Sequence, residues 1–168
     1  VHEAKEVFHE GNVFFRESCY EHAKTKYADA LEKLRDYDGN LKENHKSLAL
    51  SNLGVLEFAE GRYEEAKRLL SEALDERRKI HMLHGDNEPP TPSVTALTLE
   101  MKRDIAFHRL PKEKMFLAAE LKDHATVDAM TADLLNNLAA CYEVAGEFNE
   151  AKKLYEESLN LRKVLNKI

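Results

Sequence analysis

The stretch SNLGVLEFAEGRYEEAKRLLSEAL, residues 51–74, returns later in the chain as NNLAACYEVAGEFNEAKKLYEESL, residues 136–159. At this offset of 85 positions a glycine, an alanine and a leucine coincide: Gly61 with Gly146, Ala66 with Ala151, and Leu74 with Leu159. A further copy begins 43 positions before residues 51–74, with Gly11 in the place of Gly54, so the chain holds a first, a second and a third copy in sequence order. Recurrence of one pattern along a chain predicts an array of structural repeats.

Each copy has the pattern of two helices joined by a short turn. Apolar residues recur at spacings of three and four on both sides of the turns AEGRY and VAGEF. Glycine ends a helix well because it reaches positive φ without strain, and Gly61 and Gly146 stand where the turns are expected. The first copy has Ser18 at this position, which is a weaker stop signal.

Small residues predict close contact between the two helices of a copy. Gly11, Gly54 and Ala139 let the second helix approach, and three alanines face back from it: Ala23, Ala66 and Ala151. An aromatic residue is expected to fill the gap beyond each turn: Tyr20, Tyr63 and Phe148. One hairpin cannot bury such a face alone, so neighbouring hairpins must stack.

This order of small residue, aromatic, alanine, large apolar residue and alanine resembles the tetratricopeptide repeat. Its unit is usually ~34 residues, and the longer spacing here resembles the kinesin light chain branch, as do LLNNLAACY and SLNLRKVL. The resemblance implies an all-α, right-handed superhelical stack of about four hairpins and eight helices. It forms a single domain over residues 1–168, a fragment of a larger protein, with repeats at 4–37, 47–81 and 131–165.

Between the second and third copies, the sequence predicts a proline-rich linker at 84–92 and a divergent hairpin at 93–125. A strict 43-residue frame puts Leu97 and Arg109 where small residues belong, whereas a shifted frame puts alanines there: Ala106, Ala118 and Ala125. The segment is interpreted either as a degenerate repeat or as a surface for a specific partner.

Composition excludes several classes of protein. The 168 residues carry a formal charge of −6 with both signs interspersed, so no basic block predicts nucleic-acid binding. No apolar run is long enough to predict a membrane span. The first residues are amphipathic and do not resemble a targeting peptide. Two distant cysteines, Cys19 and Cys141, favour a reducing compartment. We therefore expect a cytoplasmic protein, either free or associated with the cytoskeleton.

No motif for chemistry is found. The chain lacks a phosphate-binding glycine loop and the H-E-x-x-H pattern of zinc enzymes. The pair His81 and His84 has no acidic or cysteine companion in a metal-binding pattern and is interpreted as solvated surface. We expect no enzymatic activity, no cofactor and no metal.

The resemblance implies a concave groove lined by the first helix of each hairpin. Its candidate peptide-binding residues are Lys5, His9, Asn12, Arg16, Ser51, Asn52, Phe58, Lys102, Asn136, Asn137 and Glu143. Asn52 and Asn137 occupy the same position in their copies, where each amide either pairs with a bound peptide backbone or with a neighbouring helix. A clamp for a C-terminal carboxylate, used by chaperone-binding relatives, is not expected because Phe8, Asp133 and Asn137 replace its cations.

Two functions follow. The first is a protein–protein interaction module of a scaffold or adaptor, for example a motor-cargo adaptor, that binds a partner's peptide or helix in the groove. The second is a structural module that mediates oligomerisation of a larger cytoskeletal or ciliary protein through its terminal helices. The last of these helices ends in apolar residues without a polar cap, which favours self-association.

Overall fold

A computed structural model describes residues 2–35, 37, 40–84 and 127–165. These residues form six α-helices and no strand. The helices are α1 (His2–Arg16), α2 (Tyr20–Leu34), α3 (Asn40–Ala59), α4 (Tyr63–His84), α5 (Val127–Val144) and α6 (Phe148–Leu165). They pair as three hairpins, α1–α2, α3–α4 and α5–α6, which agrees with the all-helical prediction. Apart from His84, the predicted linker 84–92 and hairpin 93–125 lie outside the described residues.

All three hairpins turn through the same backbone geometry. Gly61 and Gly146 both adopt φ of 79°, and Ser18 at the equivalent position adopts φ of 61°. Two backbone hydrogen bonds form at the C-terminal end of the first helix of each hairpin. In the second turn, Gly61 donates its N–H to the carbonyl of Phe58, and Arg62 donates to that of Glu57. These bonds satisfy carbonyls that have no partner inside the helix, so α1, α3 and α5 end where the sequence predicts.

Glycine brings the two helices of a hairpin together. A Cβ added at Gly11 would lie 2.6 Å from Cε1 of Tyr27, and one added at Gly54 would lie 2.7 Å from Cγ of Leu70. The alanines that face back from the second helices, Ala23, Ala66 and Ala151, are all buried. The small residues therefore serve the close approach that the sequence predicts.

The hairpins stack in one continuous order. α2 packs on α3, and α4 packs directly on α5, although 42 residues separate these two helices in the chain. Arg77 of α4 is buried and donates from Nη2 to Sδ of Met130 on α5, at 3.2 Å. The third hairpin is therefore the spatial neighbour of the second.

The aromatic residues after the turns do not behave alike. Tyr20 lies edge-on to Phe15, with ring centroids 5.4 Å apart, and Tyr63 lies in the same way against Phe58, at 5.1 Å. Phe148 is 67% exposed. The prediction that it fills the gap is wrong, because Glu143 occupies the position of the two phenylalanines and no described helix packs beyond α6.

Candidate functional site

The candidate site is the set of predicted groove positions on the first helices, α1, α3 and α5, which we call the first-helix wall. On α1, Lys5 and His9 are half-buried and Arg16 is exposed. His9 lies edge-on to the buried ring of Phe8, with centroids 6.0 Å apart. This end of the wall thus presents cationic and aromatic groups to solvent.

Asn12 is the centre of a buried polar cluster. Its Oδ1 accepts two hydrogen bonds, from Oη of Tyr27 at 2.8 Å and from Nδ2 of Asn52 at 3.1 Å. Asn12 is 2% exposed and Asn52 is fully buried. The second bond joins α1 to α3, so it is a contact between neighbouring hairpins. The sequence allowed the Asn52 amide to pair either with a bound peptide or with a neighbouring helix, and in the structure it pairs with the neighbouring helix α1.

The middle of the wall is closed. Every residue of α3 from Ser47 to Phe58 is buried. This run includes the predicted groove residues Ser51, Asn52 and Phe58, of which Ser51 is 2% exposed. The α3 residues therefore form the packed centre of the stack, and the accessible wall positions lie on α1 and α5.

On α5, Asn136 and Glu143 are half-buried and Asn137 is fully buried. Oε2 of Glu143 accepts a hydrogen bond from Oη of Tyr155 at 2.8 Å, and burial together with this carboxylate raises the pKa of the tyrosine. Near the start of α5, Asp133 accepts a 2.6 Å bond from Nη2 of Arg162. Burial raises the pKa of Asp133 to about 6, against the opposing effect of Arg162.

The wall has opposite charges at its two ends. Lys5 and Arg16 stand on α1, whereas Glu143 stands on α5. Lys102, the predicted groove member between them in sequence, lies outside the described residues. A segment that crosses the wall would thus meet cations at one end and a carboxylate at the other.

Two tyrosines that the sequence pattern did not single out form hydrogen bonds with wall residues. Tyr27 and Tyr155 occupy equivalent positions on α2 and α6, where the middle hairpin has Leu70. Each donates its hydroxyl hydrogen to a polar wall residue of its own hairpin, Asn12 or Glu143. Comparison of the three copies could have revealed them, because a tyrosine at a position that is otherwise large and apolar needs a hydrogen-bond partner when it is buried.

Metal binding and membrane crossing need features that the described part of the chain does not show. No group of three or more His, Cys, Asp or Glu side chains there is placed to hold a metal ion. None of the described helices combines the length and the hydropathy that crossing a membrane would need. Cys19 is exposed and Cys141 is buried, and neither forms a disulfide.

Comparison with known proteins identifies the repeat. Residues 47–81 and residues 132–163 each match a family model described as tetratricopeptide repeat. These matches cover the second and third hairpins and support a place for the chain in that family. Repeats of this kind generally mediate protein–protein interactions. No curated protein and no solved structure matches the chain.

Proposed function

We propose that this chain is a protein–protein interaction module of a scaffold or adaptor, which binds a peptide or helix of a partner along the first-helix wall. The observation that carries the proposal is the opposite charge of the two accessible ends, Lys5 and Arg16 on α1 and Glu143 on α5. The partner segment would place acidic residues against α1 and basic or amide groups against α5, because complementary charges fix the orientation of a bound segment.

The spacing of the helices sets the length of that segment. Packed helices lie ~8–10 Å apart, so a segment that runs from α1 across α3 to α5 would have to cover on the order of 20 Å. An extended peptide covers this distance with about six residues and an α-helix with about 13. Reversible capture by such a surface corresponds to a micromolar dissociation constant, about −8 kcal/mol.

The test is selection of binders from a library of random peptides, followed by measurement of their affinity by fluorescence anisotropy. We expect the selected peptides to carry acidic and basic residues at opposite ends. The double variant Lys5→Ala, Arg16→Ala should weaken binding by roughly tenfold, which corresponds to about 1.4 kcal/mol.

Matched controls lie on the outer surface of the last hairpin. Lys153 and Lys163 are exposed there, and their double alanine variant removes the same charge without touching the wall. In the same way, Asn136→Ala should weaken binding and Asn149→Ala should not. Equal affinities for wall and control variants would contradict a binding site at the wall.

We also propose a specific repeat type and role for the module. The 43-position offset between the first two hairpins and the 22 residues of α4 support a long repeat similar to that of kinesin light chains, and hence a motor-cargo adaptor role. We propose further that the module is non-catalytic, belongs to a larger cytoplasmic protein, and has a fourth hairpin at 93–125. The free cysteines support the reducing compartment.

Self-association is a second candidate function. It is favoured by apolar side chains that stand exposed on the last hairpin, where Phe148 is 67% and Leu159 is 50% accessible. Light scattering over a range of concentrations tests this function, and a monomer at all concentrations would contradict it.

A further inference from the structure

The two joints between described hairpins use the same lysine position. Lys24 on α2 bonds to Glu57 and Glu60 on the next hairpin, at 2.9 and 3.2 Å. Lys67, at the equivalent position on α4, bonds to Glu147 of the third hairpin at 3.0 Å. Its ammonium group also lies 5.1 Å from the ring centre of Tyr142. In both joints a lysine on a second helix thus binds a carboxylate on the following hairpin.

The third hairpin presents the same residues with no described helix packed on them. Lys152 is equivalent to Lys24 and Lys67, yet its side chain is 75% exposed and contacts Glu156 of its own helix at 3.9 Å. Beside it, Phe148 and Leu159 line an open depression of about 320 Å³. Leu159 is 50% exposed, whereas Leu74 at the equivalent position is 4% exposed. The outer face of α6 therefore has the composition of a joint.

The first hairpin presents the opposite half of a joint. Val13 on α1 is 42% exposed, whereas Leu56 and Cys141 at the equivalent positions are 2% and 1% exposed. Phe14 is equivalent to Tyr142, the ring that receives Lys67. Glu17 is equivalent to Glu60, which receives Lys24. This face of α1, on which no described helix packs, thus offers both kinds of group that bind the joint lysine.

We propose that a second copy of this chain docks its α1 face on the α6 face of the first, in the register of the two internal joints. Lys152 then contacts Glu17 and the ring of Phe14 in the second copy, and Val13 enters the depression beside Phe148. The contact uses two different faces, so each copy can bind one neighbour at either end and the assembly grows as an open chain. This inference rests on the self-association function.

The test uses one variant at each face. Phe148→Glu blocks the α6 face and leaves α1 intact, and Val13→Glu does the reverse. Both side chains are exposed, so the fold is expected to survive, which far-UV circular dichroism checks. The matched control is Tyr37→Glu, since Tyr37 is 45% exposed between α2 and α3, away from both faces.

Sedimentation velocity should show that wild type and Tyr37→Glu form concentration-dependent oligomers. Each face variant alone should associate at least tenfold more weakly, and an equal mixture of the two should form a dimer and nothing larger. Oligomers of the wild type without a dimer in the mixture would overturn this joint but leave self-association standing. Monomeric wild type at every concentration would overturn both.

A cross-link gives an independent readout of the register. Cys19 is equivalent to Glu147, the partner of Lys67, so it should lie near Lys152 of the neighbouring copy. A reagent that joins a thiol to an amine, applied to mixed ¹⁴N and ¹⁵N protein, should give a Cys19–Lys152 peptide of mixed isotopes. Links from Cys19 between copies that omit Lys152 would contradict the register.

Discussion

Ser47 on α3 donates its hydroxyl hydrogen to the main-chain oxygen of Ala73 on α4, with 2.9 Å between the two oxygens. The third hairpin makes the same link in the opposite direction. There Ser158 on the second helix donates to the carbonyl of Ala132 on the first, at 2.7 Å. Ser47 is equivalent to Ala132 and Ala73 to Ser158, so the second and third hairpins each have one serine and one alanine at this crossing.

The first prediction exchanges the two residues of the middle hairpin. Ser47→Ala should lower the free energy of unfolding by about 0.5–1.5 kcal/mol through loss of a buried hydrogen bond. Adding Ala73→Ser recreates the arrangement of the third hairpin and should recover most of that loss. Urea denaturation measures both values. A double variant less stable than Ser47→Ala alone would contradict the equivalence.

The second prediction concerns the first turn. Ser18 adopts a positive φ of 61°, which costs about 1–2 kcal/mol for a residue with a Cβ. Glycine is not strained at this φ but loses more conformational entropy on folding, so Ser18→Gly should raise the free energy of unfolding by a net amount of roughly 0.5–1 kcal/mol. The matched reverse change is Gly61→Ser, which should lower it by a similar amount. Thermal unfolding of both variants compares them, and a loss of stability in Ser18→Gly would refute the account.

The third prediction tests the close approach of α3 and α4. In Gly54→Ala the new Cβ would lie 2.7 Å from Cγ of Leu70 and 3.4 Å from the carbonyl oxygen of Ala66. Overpacking typically costs about 1–3 kcal/mol, more than the gain of about 1 kcal/mol in helix propensity. We expect net destabilisation in urea. If the clash were absent, Gly54→Ala would be the more stable protein.

The fourth prediction tests the buried cluster that joins α1 to α3. Asn52→Ala removes a donor to Asn12 and should cost about 1–3 kcal/mol, because the amide lies at a fully buried position. Tyr27→Phe removes only the hydroxyl and should cost about 1 kcal/mol. Since both donors share one acceptor, the double variant should not be additive. Unchanged stability of Asn52→Ala would show that the bond has no structural role.

The fifth prediction concerns pH. Burial raises the pKa of Asp133 to about 6 in the folded chain, above the value of about 3.9 in an unfolded one. Between these values the folded state holds a proton that the unfolded state has lost, so this group's contribution to stability falls as pH rises through that window. The difference in unfolding free energy between wild type and Asp133→Asn should fall by on the order of 2–3 kcal/mol from pH 4 to pH 7. A difference independent of pH would contradict the raised pKa.

The hairpins and their turns could be predicted because they depend on local pattern. The glycines at 61 and 146 and the alanines at 66 and 151 act through turns and helix contacts inside a single hairpin, so the local sequence is enough to predict their roles. Contacts between hairpins could not be predicted in the same way. The pairing of Asn12 with Asn52 depends on how two hairpins are set against each other, and the burial of α3 from Ser47 to Phe58 depends on its neighbours on several sides.

The sequence also could not show which hairpin packs against the third one. The interval between α4 and α5 is long enough for one more hairpin, and a count of residues alone would place that hairpin between the two helices in the stack. The contact of Arg77 with Met130 shows that α5 lies directly on α4. The predicted hairpin at 93–125 is untested by this contact, since its residues are outside those described.

Direct packing of α5 on α4 has an evolutionary consequence. Helix α4 ends at His84 and α5, which packs on it, begins at Val127, so the contact between these two hairpins does not depend on how many residues lie between them. Insertions and deletions in that interval can accumulate while the joints on either side keep their geometry. Relatives of this protein should therefore differ in length most at this place, and a short flexible loop substituted there should leave the three hairpins in register.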